Sequence, residues 1–144
     1  TKYVYEYLGY NARVDNIQAK VVQAKLPYLQ GWLDRKHEIA TYYTEQLSEY
    51  YATPKEMSWG KHSYYVYVME HPYRDKLRLR LGEAGIGTNI HYANPAHLTP
   101  AFKKWRRSLP VTEQLSRDIF SIPVYPHLTD AQVDYIVDKC KELR

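Results

Sequence analysis

Eight prolines constrain this chain more than any other feature, because each removes a backbone donor and clashes with the preceding helical turn. Pro54, Pro72, Pro95, Pro100, Pro110, Pro123 and Pro126 cut the later part into short pieces, so long helices fit only before Thr53. Residues 1–12 read as an extended, Tyr-rich lead-in, with Tyr3, Tyr5 and Tyr7 alternating with Val4, Glu6 and Leu8 until Gly9 breaks the period. Asp15 suits the first turn of a helix, where an acid complements the dipole. Ile17, Val21, Ala24 and Lys25 continue at helical spacing to Pro27, where a kink or a break is expected. A second helix follows over 28–51, with Leu29, Trp32, Leu33, Ala40, Tyr43 and Leu47 as its apolar stripe.

The shorter pieces alternate between strand and helix patterns. Residues 62–70, dense in Tyr and Val, read as a strand. A helix over 73–84 turns Leu77, Leu81 and Ala84 inward and stops at Gly85. Residues 86–92 read as the next strand, 99–104 as a short helix, 112–118 as another helix, and 120–126 as a short extended segment. Thr129 and Gln132 fit a capping box that opens the last helix, to about residue 143. The expected fold is α+β: a small antiparallel sheet covered by helices, with a long kinked helical pair at the N-terminal end.

Length and composition bound the function classes. The 144 residues make one domain, and 44% hydrophobic with 25% charged residues excludes a disordered chain. No stretch approaches the roughly 20 apolar residues that cross a bilayer, and mean hydropathy is −0.62; no membrane partner is expected. The opening has neither an initiator Met nor an apolar signal core, and reads as the middle of something longer. A lone cysteine, Cys140, excludes an internal disulfide and fits a reducing, cytoplasmic setting. The net charge of +4 comes from scattered basic residues with short clusters at Lys103–Lys104 and Arg106–Arg107. No nucleic-acid-binding signature accompanies them, so no nucleic-acid partner is expected, and a phosphorylated metabolite suits such a balance. Sixteen Tyr against two Phe suit half-wet packing, most of it at core edges.

Two clusters could carry chemistry. Asn11 and Arg13 precede the first helix, whose free amides and positive dipole end attract anions. Arg at such an end is unfavourable unless an anion sits there or Asp15 satisfies it, and spacing alone leaves both states open. His91, Tyr92 and His97 lie at a strand end before a proline-rich turn, a way of aiming polar groups into a cleft; surface histidines are the plainer reading of the same spacing. No Cys or carboxylate stands near them at ligand spacing, so no metal is expected. Cys140, in an amphipathic helix, reads as a structural thiol. There is no GxSxG, HExxH, Walker or GxGxxG motif, and no complete catalytic set.

Four stretches in order carry a resemblance: GYNARVDNIQAKVVQAKLPYL, GIGTNIHYANPAHLTPAF, LPVTEQLSRDIFSIPVYPHLT and the terminal Val-x-x-Ile-Val helix. Together they resemble the small, C-terminal domain of the DegT–DnrJ–StrS family of pyridoxal-phosphate-dependent nucleotide-sugar aminotransferases, most like dTDP-keto-hexose 3-aminotransferases. The resemblance covers nearly all of residues 1–144 and implies the small domain of a fold-type I aminotransferase, the large cofactor-binding domain lying outside this sequence. It implies a homodimer that moves an amino group, from glutamate, to a keto sugar on a nucleotide, for glycan, O-antigen or antibiotic sugar synthesis. It places Asn11 at the cofactor phosphate of the neighbouring subunit, Arg13 near the same anionic region or the substrate diphosphate, and His91, Tyr92 and His97 at the sugar-nucleotide cleft. It assigns no catalytic residue to this chain, since the Schiff-base Lys belongs to the large domain and no lysine here sits in a matching motif. Lys20 departs from the small Ala usual after IQA. Two rivals remain, a non-catalytic sensor of the same family and a free-standing sugar-nucleotide or protein-binding module.

Overall fold

Where the apolar spacing and the prolines agree, the elements of this computed structural model follow the sequence; where they compete, burial decides. The structure describes residues 14–144, which fall into two units divided between residues 31 and 32. The lead-in over 1–12, with Asn11 and Arg13, lies outside the described residues. Helix α1 spans Asn16–Leu47. Asp15 stands just before its first turn rather than within it, and its Oδ1 accepts the Ile17 amide at 3.2 Å as an N-cap. The two helices expected on either side of Pro27 are one, since α1 runs through that proline. The ring deprives the Gln23 carbonyl of its helical donor, but residues 14–30 are exposed and water can take the bond. The helix stops four residues short of the expected end, where the Tyr50 and Tyr51 amides both turn back to the Leu47 carbonyl.

The second unit holds the core. Ile39, Ala40, Tyr43 and Leu47 are the buried residues of α1, and their three- and four-residue spacing keeps them on one face. They join buried side chains that include Tyr67, Met69, Leu77, Leu81, Phe120, Ile122, Val133, Ile136 and Val137. Three buried tyrosines satisfy their hydroxyls there: Tyr43 donates to the Pro123 carbonyl at 3.0 Å, Tyr51 to the Cys140 carbonyl at 2.6 Å, and Tyr67 meets the Thr44 hydroxyl at 2.8 Å. Without such partners a buried hydroxyl would cost about 1–3 kcal/mol, so these tyrosines fix direction as well as fill space.

Strand β1 (Tyr67–Glu70) pairs antiparallel with β2 (Ile119–Ile122), from Tyr67 opposite Ile122 to Glu70 opposite Ile119. Only the last part of the 62–70 segment becomes strand, because Tyr64 adopts a left-handed φ of 43° that interrupts extended backbone. Residues 86–92 contribute a single bridge, Asn89 opposite Ser121, on the other side of β2. Helix α2 (Arg74–Glu83) buries Leu77 and Leu81. Gly85, at φ 79°, ends it, with the Ile86 amide on the Leu81 carbonyl and the Gly85 amide on that of Gly82, a Schellman turn that favours glycine. The short helix expected at 99–104 is two 3₁₀ turns, Ala96–Leu98 and Pro100–Trp105. Helix α3 (Pro110–Asp118) starts two residues early, since proline is favoured at a first helical position. Helix α4 (Asp130–Leu143) opens on the expected capping box of Thr129 and Gln132. The outcome is a small two-stranded antiparallel sheet among helices.

Candidate functional site

Two backbone hydrogen bonds, Asn89 amide to Ser121 carbonyl at 3.1 Å and the reverse at 2.7 Å, lay the 89–92 segment against β2. That register puts the His91 ring beside Ser121, the one buried polar residue among those described. His91 Nδ1 and Ser121 Oγ lie 2.9 Å apart, and His91 Nε2 lies 3.3 Å from Asn89 Nδ2. Asn89 turns its Oδ1 to the Ile90 amide at 2.8 Å. The imidazole is thus held at both nitrogens, which fixes its plane. Tyr92 packs its ring edge-on to His91 at 5.5 Å between centroids and is 73% exposed. The His91–Tyr92 peptide is cis.

His91, Asn89, Thr88 and Ser121 line one side of an open hollow of about 380 Å³, with Tyr65 and Pro123 on others. Arg78 braces Thr88, donating from Nε to its hydroxyl at 3.0 Å and from a terminal nitrogen to its carbonyl at 3.2 Å. A hollow of this size, with a few fixed polar groups, suits part of a small ligand rather than a buried whole one.

The structure brings His91 and Tyr92 together and gives His97 a separate role. His97 Nε2 meets Glu113 Oε1 at 3.3 Å, and the same oxygen accepts the Leu109 amide at 2.9 Å. The Leu109 amide first, and His97 second, hold the Glu113 carboxyl below its ordinary range. This contact ties the 3₁₀ turn at Ala96–Leu98 to α3. Asn11 and Arg13 lie outside the described residues, so their anion site has no geometry here.

Ser121, Asn89 and Arg78 escaped the sequence reading. Ser121 carried a signal, as the lone polar residue in the run Ile119–Phe120–Ser121–Ile122; Arg78, two turns into a helix, carried none. Cys140 is fully buried, and burial pushes its thiol up to about 12, the behaviour of a structural thiol rather than a nucleophile. Among the described residues no group of three or more His, Cys, Asp or Glu could hold a metal ion, and no helix is long and apolar enough to cross a membrane. No described lysine is buried in a cleft: Lys36, Lys139 and Lys141 are half-buried, and they donate to the Tyr64 carbonyl, Glu142 and Gln46.

Comparison with known proteins complements this geometry. A family model described as the DegT/DnrJ/EryC1/StrS aminotransferase family matches residues 1–141. A pleiotropic regulatory protein of Geobacillus stearothermophilus is 35% identical over 98% of this chain and 40% of its own length. A dTDP-3-amino-3,4,6-trideoxy-alpha-D-glucose transaminase of Micromonospora megalomicea is 33% identical, again over 98% of this chain and 40% of its own. The crystal structure of Streptomyces venezuelae DesV, in complex with a ketimine intermediate, superposes with a TM-score of 0.88 at 31% identity, over 99% of this chain and 40% of that one. The chain thus spans about two fifths of the length of these relatives.

Proposed function

We propose, given that the chain belongs to the DegT/DnrJ/EryC1/StrS aminotransferase family, that it is the C-terminal domain of a nucleotide-sugar aminotransferase. The observation that carries this reading is the likeness, over 98% of this chain, to a dTDP-amino-sugar transaminase, together with a hollow that carries a few fixed polar groups at the motif that the sequence reading set at the substrate cleft. In this reading the longer protein is a cytoplasmic homodimer that transfers an amino group from glutamate to a keto hexose on a nucleotide, most like C3 of a dTDP sugar.

His91, anchored to Ser121 and Asn89, presents a ring of fixed orientation to the sugar-nucleotide cleft. Tyr92, packed on that ring and exposed, offers a flat apolar face with a hydroxyl, a combination that suits a sugar. His97 acts through Glu113, holding the loop that follows the cleft. Asn11 and Arg13 bind the cofactor phosphate. Pyridoxal phosphate, when bound by the longer protein, supplies the electron sink for amino transfer. Its reactive lysine would come from outside this chain.

The test is an assay of the longer protein with glutamate and dTDP-keto-hexoses, reading 2-oxoglutarate and amino sugar together. Amino transfer is expected, His91→Ala should raise KM more than it lowers kcat, and Asn11→Ala should weaken cofactor retention. Absence of transfer with every keto sugar tried would overturn the enzyme reading. A second reading, a non-catalytic sensor, is favoured by the likeness to a protein described as a pleiotropic regulator; nucleotide-sugar binding without transfer would support it.

A further inference from the structure

Donor and acceptor chemistry gives the contacts around His91 a direction. The Asn89 Oδ1 accepts the Ile90 amide at 2.8 Å, so the other end of that side chain is the amide nitrogen, which only donates. It lies 3.3 Å from His91 Nε2. A hydrogen on Nε2 would face the Asn89 hydrogens, donor against donor. Nε2 is therefore the acceptor, and the hydrogen of the neutral ring sits on Nδ1. His91 Nδ1 then donates to Ser121 Oγ, 2.9 Å away. Ser121 receives that bond and keeps its own hydrogen, for which no acceptor stands among the described residues. The residue is only 5% exposed, yet it lines the hollow of about 380 Å³. Its backbone is held by two hydrogen bonds to Asn89 and by its place opposite Val68 in the sheet, so the hydroxyl cannot swing out to water.

We propose that Ser121 is a specificity-determining donor whose hydroxyl hydrogen is reserved for an oxygen of the bound sugar, with Asn89 and His91 as positioning residues that keep it so. The identity of the ligand rests on the nucleotide-sugar reading above; the direction of the relay rests on the side chains alone. A hydroxyl that accepts one hydrogen bond becomes a stronger donor in the next, so the bond from His91 sharpens Ser121 as well as placing it. The group it meets must accept, which fits a carbonyl, ether or hydroxyl oxygen and excludes an ammonium. A nearly buried donor also discriminates, because an analogue without the matching oxygen leaves it unpaired. The contact is distinct from the Tyr92 ring, which offers a flat face and no fixed direction.

The test reads the ring proton first, by nitrogen NMR of the isotope-labelled 144-residue chain at about pH 8.5, two units above the ordinary histidine value. The His91 signals are identified by their loss in His91→Gln. The hydrogen is expected on Nδ1. Asn89→Asp exchanges the donor for an acceptor at an exposed position, and should move the hydrogen to Nε2. That turns the relay around and commits the Ser121 hydrogen to His91 Nδ1. A hydrogen on Nε2 in the unaltered chain, or one that stays on Nδ1 in Asn89→Asp, overturns the proposal. The longer protein reads the consequence with a dTDP-keto-hexose. Ser121→Ala and Asn89→Asp should each raise KM about three- to tenfold with kcat within about twofold. The double variant should be no worse than Ser121→Ala alone, since both changes withdraw the same hydrogen. Losses that multiply, or an unchanged KM in Ser121→Ala, overturn the proposal as well. Because the ring-proton readout needs no amino transfer, absence of transfer in the unaltered protein strikes the nucleotide-sugar reading alone and leaves the direction of the relay standing.

Discussion

The two halves of α1 share one helix and have opposite fates. Before residue 31 the helix carries Ile17, Val21, Val22, Leu26 and Leu29, all of them exposed, Ile17 at 75%. After it, Ile39, Ala40, Tyr43 and Leu47 are buried, and polar side chains add long-range ties. His37 reaches Glu56 at 2.7 Å, Lys61 reaches Asp34 at 3.0 Å, and Arg35 donates to the Leu128 carbonyl at 3.1 Å. The first half has apolar residues as regular as those of the second, but within the described structure they bury little. Helical spacing states that a face can be buried, not that this chain supplies what buries it. An isolated helix of that length is marginal in water, so the first half draws its order from its Asp15 cap and its continuity with the second.

The largest expected contrast comes from truncating one apolar residue in each half. Leu47→Ala should lower the stability of the chain by about 2–5 kcal/mol, whereas Ile17→Ala should change it by less than about 0.5 kcal/mol, both read by urea unfolding. Comparable losses at the two sites would abolish the distinction. A smaller effect is expected at Pro27, where Pro27→Ala restores a helical donor. Up to about 3 kcal/mol of local helix stability returns, visible as slower amide exchange over 19–31 with the exchange of 39–47 unchanged.

The smallest effect is the acid dependence of the unit 32–144, to which the second half of α1 belongs. Burial lowers His71 from its ordinary 6.5, so the unfolded chain takes up that proton first, and stability falls as pH drops below about 6.5. Glu56 is held below its ordinary 4.5, by the His62 amide first and then by His37. Its contribution is present above 4.5 and is lost as pH falls through its folded value. Thermal unfolding from pH 7 to 3 should therefore show two successive losses, the upper one absent in His71→Gln. A profile flat to pH 5 in the unaltered chain would remove His71 from the account.

The comparison also shows what was legible in the sequence. The capping box at Thr129 and the stop at Gly85 rest on local chemistry and stand as read; of the apolar stripe, Ala40, Tyr43 and Leu47 are buried, whereas Leu29 is exposed, Trp32 and Leu33 are half-buried, and the buried Ile39 was not in it. The misread boundaries depended on what lay elsewhere in the fold. Pro27 leaves one carbonyl without its helical donor, and because the helix is exposed there water can take that bond. The strand pattern over 62–70 yielded four strand residues, after the left-handed turn at Tyr64, and the pattern over 86–92 yielded a single bridge. At the candidate site, His91 and Tyr92 were legible as residue types at a turn. Ser121, which orients His91, lies 30 residues away along the chain, and Arg78 reaches Thr88 from 10 residues away, distances that no local pattern reports.

The pairing of β1 with β2 sets an order of events during synthesis. Residue 67 must wait for residue 122 before its backbone groups find their partners, and closing so long a loop is entropically slow. Tyr51 waits longer still, for the Cys140 carbonyl. A ribosome adding about 5–20 residues each second would leave Tyr67, Met69 and the lower face of α1 uncovered for several seconds after they emerge. Nascent chains of this domain are thus expected to occupy chaperones until α4 is made, and the side chains that close the core last are among those that most need shielding before it closes.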